Sequence, residues 1–258
     1  MPYGVDMDTK RIAVDVEDLT VAYGKKPVLW DIDVGFPEGK MTAVMGPNGA
    51  GKSTLIKTIL GLVPKISGTI RFFPGECDTS LKANRKRIAY VPQCGSIDWD
   101  FPVTALDVVT MGCYGRLGLI KRPGKKDRLL AMDMLKCVGM EAYSDRQISR
   151  LSGVQQQRLF LARALIQNAD IYFLDEPFKG VDAGTERTVV ELLKSLKSEG
   201  KTIIVVHHDL LTAPEYFDHI VFLNVRVQAQ GDIKSVFSEQ NLYQTYGNCG
   251  SFNIGAIK

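Results

Sequence analysis

The chain has 258 residues, 45% of them hydrophobic and 24% charged, which suits one α/β domain with or without a subdomain. A net charge of +3, from 32 basic and 29 acidic residues, gives no broad basic field, so we expect no nucleic-acid partner. The five cysteines are widely spaced without a CxxC pair, which argues against disulfides and a zinc site and favours a cytoplasmic protein. No apolar run approaches the roughly 18 residues that span a bilayer, so we expect any membrane contact to depend on a partner.

Alternating apolar residues predict two strands early in the chain, over residues 12–16 and 28–36. We expect these strands to form an antiparallel layer beside a nucleotide-binding core. Tyr23 lies between them, just before a turn that contains Gly24. An aromatic side chain at this place can stack on a purine, or it can be an ordinary exposed turn tyrosine, and the residues alone leave both interpretations open.

The segment Gly46-Pro47-Asn48-Gly49-Ala50-Gly51-Lys52-Ser53-Thr54 fits the pattern GxxxxGK[ST]. A strand is predicted just before it, at Met41–Met45, and a helix after it, at residues 54–62. The glycines let successive backbone N–H groups surround phosphate oxygens, while the helix dipole and Lys52 add positive charge. The sequence therefore predicts a phosphate-binding loop for ATP or GTP, with Ser53 as a ligand of Mg²⁺, rather than a plain glycine-rich turn.

Two further strands are predicted after this helix, at residues 68–73 and Ile88–Val91. The second strand leads into Gln93, whose side chain at the exit of a core strand can reach a bound metal ion or water. A capping-box pattern then begins at Thr104 and predicts a short helix that ends near Gly112.

A basic run over residues 121–128 precedes a helix whose apolar residues share one face and which Gly139 is expected to cap. The simpler interpretation of the run is a solvated helix start. Contact with membrane headgroups or with a protein partner is the alternative. The run is not evidence for nucleic-acid binding.

The continuous apolar run Ile171-Tyr172-Phe173-Leu174 is typical of a strand buried on both faces, and it ends in Asp175 and Glu176. Adjacent carboxylates at the end of a core strand are costly unless a cation is near, and Mg²⁺ with ATP would supply one. We therefore expect Asp175 to orient the metal and Glu176 to act as general base toward water. A pair of solvent-facing acids in a turn is the alternative.

The last third of the chain predicts a helix over residues 183–199 and a buried strand at Thr202–Val206, which leads into His207-His208-Asp209. A histidine past a core strand can bind a γ-phosphate or can be a structural residue, and the second is the simpler interpretation of the isolated pair. Short strands at 220–223 and 225–228 and a terminal helix complete the chain.

The segment Leu151-Ser152-Gly153-Val154-Gln155-Gln156-Gln157-Arg158 completes an ordered set of motifs. The other members, in chain order, are the phosphate loop, Gln93, Asp175-Glu176, Gly180-Val181-Asp182 and His208. Over nearly its whole length the chain resembles the ATP-binding subunit of an ABC transporter. The resemblance implies one ABC ATPase domain over residues 1–258, with a P-loop NTPase α/β core, an antiparallel β subdomain and a helical subdomain at about 95–165.

Roles for individual residues follow from the same resemblance. It makes Tyr23 the adenine-stacking aromatic and Gln93 the glutamine that touches Mg²⁺ and relays to the membrane subunit. Ser152-Gly153-Val154-Gln155 becomes the signature that caps the γ-phosphate held by a partner subunit. Asp182 belongs to the D-loop, and His208 is the switch histidine.

Cofactors, partners and location are likewise implied by the resemblance. They are ATP and Mg²⁺, a homodimer of ATPase subunits in head-to-tail arrangement, an integral membrane permease and, indirectly, a substrate-binding protein. The expected location is the cytoplasmic face of the cell membrane, as a peripheral subunit.

A finer resemblance, to the ATPases of manganese, zinc and iron importers, comes from Ile97-Asp98-Trp99-Asp100-Phe101-Pro102-Val103-Thr104, Met111-Gly112, Asp175-Glu176-Pro177-Phe178 and the doubled His207-His208. The resemblance implies that the ATPase does not touch the cargo. It implies contact with the permease instead, whose coupling helix would dock in a groove that includes the loop after Gln93. The resemblance thus implies a divalent-metal importer through its permease.

One residue departs from the family pattern, since Val154 stands where the signature has glycine. The departure keeps open an ABC-type scaffold with impaired hydrolysis, although Glu176 and His208 are present. A soluble ABC ATPase unrelated to transport is the other alternative. The chain has one phosphate loop and no long heptad segment, which argues against that class.

Overall fold

The computed structural model describes residues 11–24, 26–93, 102–118 and 121–247. Within those ranges the strands, in chain order, are β1 (Ile12–Tyr23), β2 (Lys26–Pro37), β3 (Met41–Met45), β4 (Ser67–Phe72), β5 (Ile88–Val91), β6 (Ile171–Asp175), β7 (Thr202–Val206), β8 (His219–Asn224) and β9 (Arg226–Asp232). The helices are α1 (Lys52–Ile59), α2 (Leu81–Asn84), α3 (Ala105–Met111), α4 (Tyr114–Leu117), α5 (Lys125–Cys137), α6 (Gly153–Leu165), α7 (Ala183–Ser198), α8 (Ala213–Tyr216), α9 (Ile233–Val236) and α10 (Glu239–Tyr246).

The larger sheet has six strands in the order β5-β6-β7-β3-β8-β9, and all neighbours are parallel except β8 and β9. Every residue of β3, β6 and β7 is buried. Both faces are covered, because Met41 and Ala43 face one hydrophobic core while Val44 faces the other. The parallel arrangement places the carboxyl ends of β3, β5, β6 and β7 along one edge of the sheet, which we call the carboxyl edge.

The smaller sheet is antiparallel, in the order β2-β1-β4, and it confirms the predicted antiparallel layer. Its inner face shares a core with α1, including Phe36, Phe72 and Leu55. Strand β1 extends well past the predicted end at residue 16. Asp18 has a positive φ of 51° and the pairing shifts register around it, so the apolar alternation is interrupted while the strand continues.

The helices between β5 and β6 pack on one another and on the sheet, with α3, α5 and α6 in mutual contact. The predicted capping box at Thr104 is confirmed, because its side chain accepts from the Asp107 backbone N–H. Val138 is the cap residue of α5, and Gly139 follows it with φ 67°. These helices lie where the sequence predicts a helical subdomain, whose bounds at about 95–165 remain a prediction.

Candidate functional site at the carboxyl edge

The phosphate-binding segment connects β3 to α1, and its glycines are required by close packing. A Cβ on Gly46 would lie 1.9 Å from the carbonyl oxygen of Leu223, and a Cβ on Gly51 would lie 2.6 Å from Leu29 Cδ2. Gly51 also has φ 96°, which side-chain-bearing residues rarely adopt. No side chain caps the N-terminus of α1, so its first backbone N–H groups are available to an anion.

Lys52 is the buried cation of this loop, with 6% of its surface exposed. Its Nζ donates to the carbonyl oxygens of Gly46 at 2.7 Å and Pro47 at 2.8 Å. Burial lowers the pKa of Lys52, while the charges of Glu176 and Asp175 oppose that shift. An ammonium has three donors, so the loop can hold the side chain in place and still leave one N–H for a phosphate oxygen.

Asp175 and Ser53 form the part of the edge that suits a metal ion. Ser53 Oγ donates to Asp175 Oδ1 at 2.8 Å, and Asp175 is fully buried. The second carboxylate oxygen, Oδ2, is buried and accepts no hydrogen bond from the described residues. Burial raises the pKa of Asp175, against the effect of the Ser53 hydrogen bond. A buried carboxylate with an unused oxygen beside a hydroxyl fits Mg²⁺, which prefers oxygen ligands.

Glu176 lies next to this pair, and three side chains within the described residues contact its carboxylate. Its Oε2 accepts from Gln93 Nε2 at 2.6 Å and from Lys179 Nζ at 2.9 Å, and its Oε1 lies 2.5 Å from His208 Nε2. Burial alone would raise the pKa of Glu176, but the hydrogen bonds from Lys179 and His208 outweigh it and lower the pKa. The group is thus an oriented carboxylate at neutral pH, which can accept a proton from a water molecule.

The two adjacent histidines have different surroundings, which the sequence could not separate. His207 is buried, its Nε2 is 2.9 Å from Thr212 Oγ1, and its ring meets Phe178 edge-on at 5.5 Å. Burial lowers the pKa of His207 to about 4, so its ring is neutral at physiological pH. His208 is partly exposed and faces Glu176. The structural interpretation therefore fits His207, and the site interpretation fits His208.

Lys179 is the site residue that the sequence analysis missed. The signal available was its position three residues after Glu176 in a turn, where the backbone N–H of Lys179 also donates to the Glu176 carbonyl. Both line an open cleft of about 410 Å³ together with Asn48 and His208. The cleft borders the phosphate loop and can admit a nucleotide's terminal phosphate.

The signature segment begins α6, and Ser152 and Gln155 form a capping box there. Ser152 Oγ accepts from the Gln155 N–H at 3.3 Å, and Gln155 Oε1 accepts from the Ser152 N–H at 2.9 Å. Val154 follows Gly153 in the first helical turn and lacks a positive φ, as the cap predicts. Its Cγ2 lies 4.0 Å from where a Cβ on Gly180 would be. The signature thus borders the turn that leads to Asp182.

Asp182 caps α7, where its carboxylate accepts from the Thr185 N–H at 3.0 Å. Thr54 lies in α1, and Gly49, with φ 81°, faces open space at the loop surface. Tyr23 ends β1 with 57% of its surface exposed, and its predicted stacking on adenine remains a prediction. Ile97, Asp98, Trp99, Asp100 and Phe101, which carry much of the resemblance to metal importers, lie outside the described residues.

Comparisons with known proteins agree with this geometry. Residues 29–179 match the family model described as ABC transporter. The chain is 58% identical over 235 residues to the zinc transport system ATP-binding protein TroB of Treponema pallidum, covering 91% of this chain and 87% of the relative. It is 60% identical over 234 residues to the manganese transport system ATP-binding protein MntB of Bacillus subtilis, covering 91% and 92%.

The chain is also similar to solved structures of ABC transporter cassettes. One similar structure is cbiO1 from Clostridium perfringens, part of the ABC transporter complex cbiONQ, with a TM-score of 0.73 and 30% identity over 91% of this chain and 94% of that one. Another is a dimeric bacterial ABC transporter cassette, with a TM-score of 0.74 and 29% identity over 85% of this chain and 98% of that one. The chain belongs to the ABC transporter family, as an ATP-binding subunit that hydrolyses ATP.

Proposed function

We propose that this ATPase subunit energises the import of a divalent metal, manganese or zinc, through an integral membrane permease. The assignment of the transported metal is supported by the identity of this chain to relatives named for zinc and manganese transport. The identities are 58% and 60%, each over 91% of the chain. Iron, which the sequence also suggested, is not in those names and becomes one arm of the test. The cargo does not meet the ATPase, so the choice of metal lies with the permease.

The hydrolytic roles in this proposal follow from the carboxyl edge. Lys52 and the loop N–H groups would hold the phosphates, and Ser53, Asp175 and Gln93 would hold Mg²⁺. Bound Mg²⁺ would neutralise charge on the phosphate oxygens. Glu176 takes the proton of the attacking water, and His208 orients the Glu176 carboxylate.

The active unit is proposed to be a head-to-tail homodimer. Each subunit's Ser152, Gly153, Val154 and Gln155 cap the γ-phosphate held by the other, Asp182 lies at the dimer seam, and Tyr23 stacks on the adenine. The exposed start of α6 supports this arrangement, since Ser152 and Gly153 are solvent-accessible. The similar dimeric cassette supports it as well.

Location and partners complete the proposal. Among the described residues no helix is long and apolar enough to cross a bilayer. The subunit is proposed to lie at the cytoplasmic face of the cell membrane, held by the permease, with a substrate-binding protein serving the permease on the other side. The loop after Gln93, with Trp99 and Phe101, is the proposed contact with the permease.

Co-expression with a neighbouring permease tests the assembly. The subunit should remain with membranes washed at high salt, which screens contacts with lipid headgroups, only when the permease is present. A Trp99→Ala or Phe101→Ala change should uncouple it while basal ATPase activity persists. A subunit that stays in the soluble fraction would favour an ABC ATPase unrelated to transport. A subunit that assembles without hydrolysing ATP would favour the scaffold alternative.

Deletion of the gene for this subunit tests which metal is transported. The strain should show a growth defect that manganese or zinc relieves, while iron should not. Relief by iron alone would move the assignment to iron, and relief by none of the three metals would remove the cargo assignment.

A further inference from the structure

A group of basic residues lies outside the site, in residues 116–118 and 121–128, which together we call the basic arm. It carries six basic residues and a single acid: Arg116, Lys121, Arg122, Lys125, Lys126, Arg128 and Asp127. The acid is occupied within the fold, because Asp127 accepts from the Gly124 N–H at 2.9 Å and from Arg116 at 2.7 Å. Arg128 approaches Asp107 at 3.4 Å.

The remaining cations of the basic arm are exposed. Lys121, Arg122, Lys125 and Lys126 form no ion pair with any residue that the structure describes. Lys125 and Lys126 occupy the first turn of α5. Cations there oppose the helix dipole, which favours acids at an N-terminus, so helix stability does not account for them.

Apolar side chains are interspersed with these cations. Leu129 is 67% exposed and lies three and four residues after Lys126 and Lys125, which places the three on one face of α5. Tyr114 is 44% exposed on α4, and the Arg116–Asp127 ion pair joins α4 to the start of α5. Cations mixed with an exposed leucine and tyrosine suit a membrane surface, where headgroups are anionic and the acyl boundary is apolar.

We propose that the basic arm docks on anionic lipid headgroups, so that the subunit touches the membrane directly beside its permease. This inference rests on the proposed location at a membrane, and it concerns a contact that the phosphate site does not need. Each exposed cation near an anionic surface changes partitioning by about fivefold, and the interaction weakens as salt screens it. Such a patch gives weak, reversible binding that adds to docking on the permease.

Vesicle co-sedimentation of the isolated full chain tests the inference without the permease. Vesicles of phosphatidylcholine with phosphatidylglycerol should bind the protein at low salt, and pure phosphatidylcholine vesicles should not. The triple change Arg122→Gln, Lys125→Gln and Lys126→Gln should lower partitioning roughly 100-fold. A Leu129→Gln change should lower the part of binding that survives high salt.

A matched control is the triple change Lys82→Gln, Arg85→Gln and Lys86→Gln, which alters net charge equally at exposed residues of another surface. This variant should bind vesicles as the parent does, and both triple variants should keep the parent's ATPase activity. Equal loss in both variants, equal binding to neutral vesicles, or no binding to anionic vesicles would overturn the inference. Loss of permease assembly without any vesicle binding would assign the arm to a protein partner instead. If the proposed role in metal import were wrong, the vesicle binding of the parent and of the variants would be unchanged.

Discussion

At the residue scale, Glu176 is fixed by its surroundings before any substrate arrives. Its backbone has φ 53°, an uncommon conformation for a residue with a side chain, at the point where β6 ends. Lys179 holds its carboxylate from the same turn, while Gln93 after β5 and His208 after β7 hold it from the neighbouring strands. A strained backbone conformation persists only where surrounding contacts hold it in place, and such conformations are typical of catalytic positions.

The change Glu176→Gln should keep the shape of this cluster while removing the proposed general base. We expect ATP binding to persist, hydrolysis to fall by about 10²- to 10⁴-fold, and an ATP-loaded closed dimer to accumulate. Phosphate release and gel filtration with ATP would measure both effects. Glu191→Gln, at an exposed residue of α7, is the control. A Glu176→Gln protein as fast as the parent would assign the base elsewhere.

His207 makes stability depend on pH. Its pKa is lowered from 6.5 to about 4 by burial, so between these values the unfolded chain binds a proton that the folded chain excludes. The free energy of unfolding should therefore fall as pH falls through this window, by up to about 3 kcal/mol. Denaturant unfolding between pH 7 and pH 4 measures this, and His207→Gln, which keeps an amide near Thr212, should flatten the dependence. An unchanged slope in that variant would contradict the assignment.

At the scale of elements, the start of α6 shows how little strain Val154 imposes on the backbone. The capping box fixes Ser152 as the N-cap, so Val154 has helical φ and its N–H stays at the exposed helix end. The added volume is the isopropyl group beside Gly180. Its consequence is thus steric and belongs to the proposed dimer seam, not to the isolated fold.

The change Val154→Gly should raise the turnover of the permease-bound dimer, by up to about a hundredfold if the side chain displaces the nucleotide by an ångström. ATP binding to the isolated subunit should stay near normal, because in the proposed dimer the signature acts only on the partner's nucleotide. Val154→Ala is the matched variant, since it removes most of the side chain without the helix cost of glycine, about 1 kcal/mol. Equal turnover of all three proteins would show that the seam has room for valine.

Packing of α3 against α6 depends on Gly112. A Cβ there would lie 2.3 Å from Ile166 Cγ2 and 2.4 Å from the Arg163 carbonyl oxygen. Gly112→Ala should therefore force the helices apart and lower the free energy of unfolding by about 1–3 kcal/mol. Gly115→Ala, where a Cβ meets nothing within 4 Å, should be close to neutral. Denaturant unfolding compares the two, and equal stability would contradict the packing argument.

At the scale of the whole molecule, the parallel sheet brings the candidate site residues together at one edge. Asp175 ends β6, and the phosphate loop, Gln93 and His208 follow β3, β5 and β7, whose carboxyl ends lie side by side with it. The helical unit between β5 and β6 carries the signature at the exposed start of α6, where Val154 lies beside Gly180 in the turn after β6. In the proposed head-to-tail dimer, this exposed helix start would face the nucleotide held at the carboxyl edge of the other subunit.

The change Lys52→Ala should abolish nucleotide binding and, with it, ATP-driven dimer formation. The phosphates would lose the loop's cation, and the Gly46 and Pro47 carbonyls would lose their donor. Gel filtration with ATP, in proteins that also carry Glu176→Gln, would detect the dimer. Lys40→Ala, at an exposed residue before β3, is the control. A dimer that still forms with Lys52→Ala would remove this role.

The sequence by itself determined the features that depend on neighbouring residues. The phosphate loop, the capping boxes at Thr104 and Ser152 and the buried strand before Asp175 are encoded within a few positions each, because helix ends and strand periodicity are local. The family resemblance, carried by the order of those motifs, was also available from sequence.

The tertiary structure alone decided which side chains meet. Gln93 and Glu176 are 83 residues apart, and His208 and Glu176 are 32 apart, yet both pairs form because β5, β6 and β7 end side by side. The same packing buries His207 while leaving His208 facing Glu176. The local sequence pattern specifies the helix or strand to which a residue belongs. Burial and long-range contacts arise only when distant strands pair. Two adjacent histidines can therefore have different surroundings and different roles.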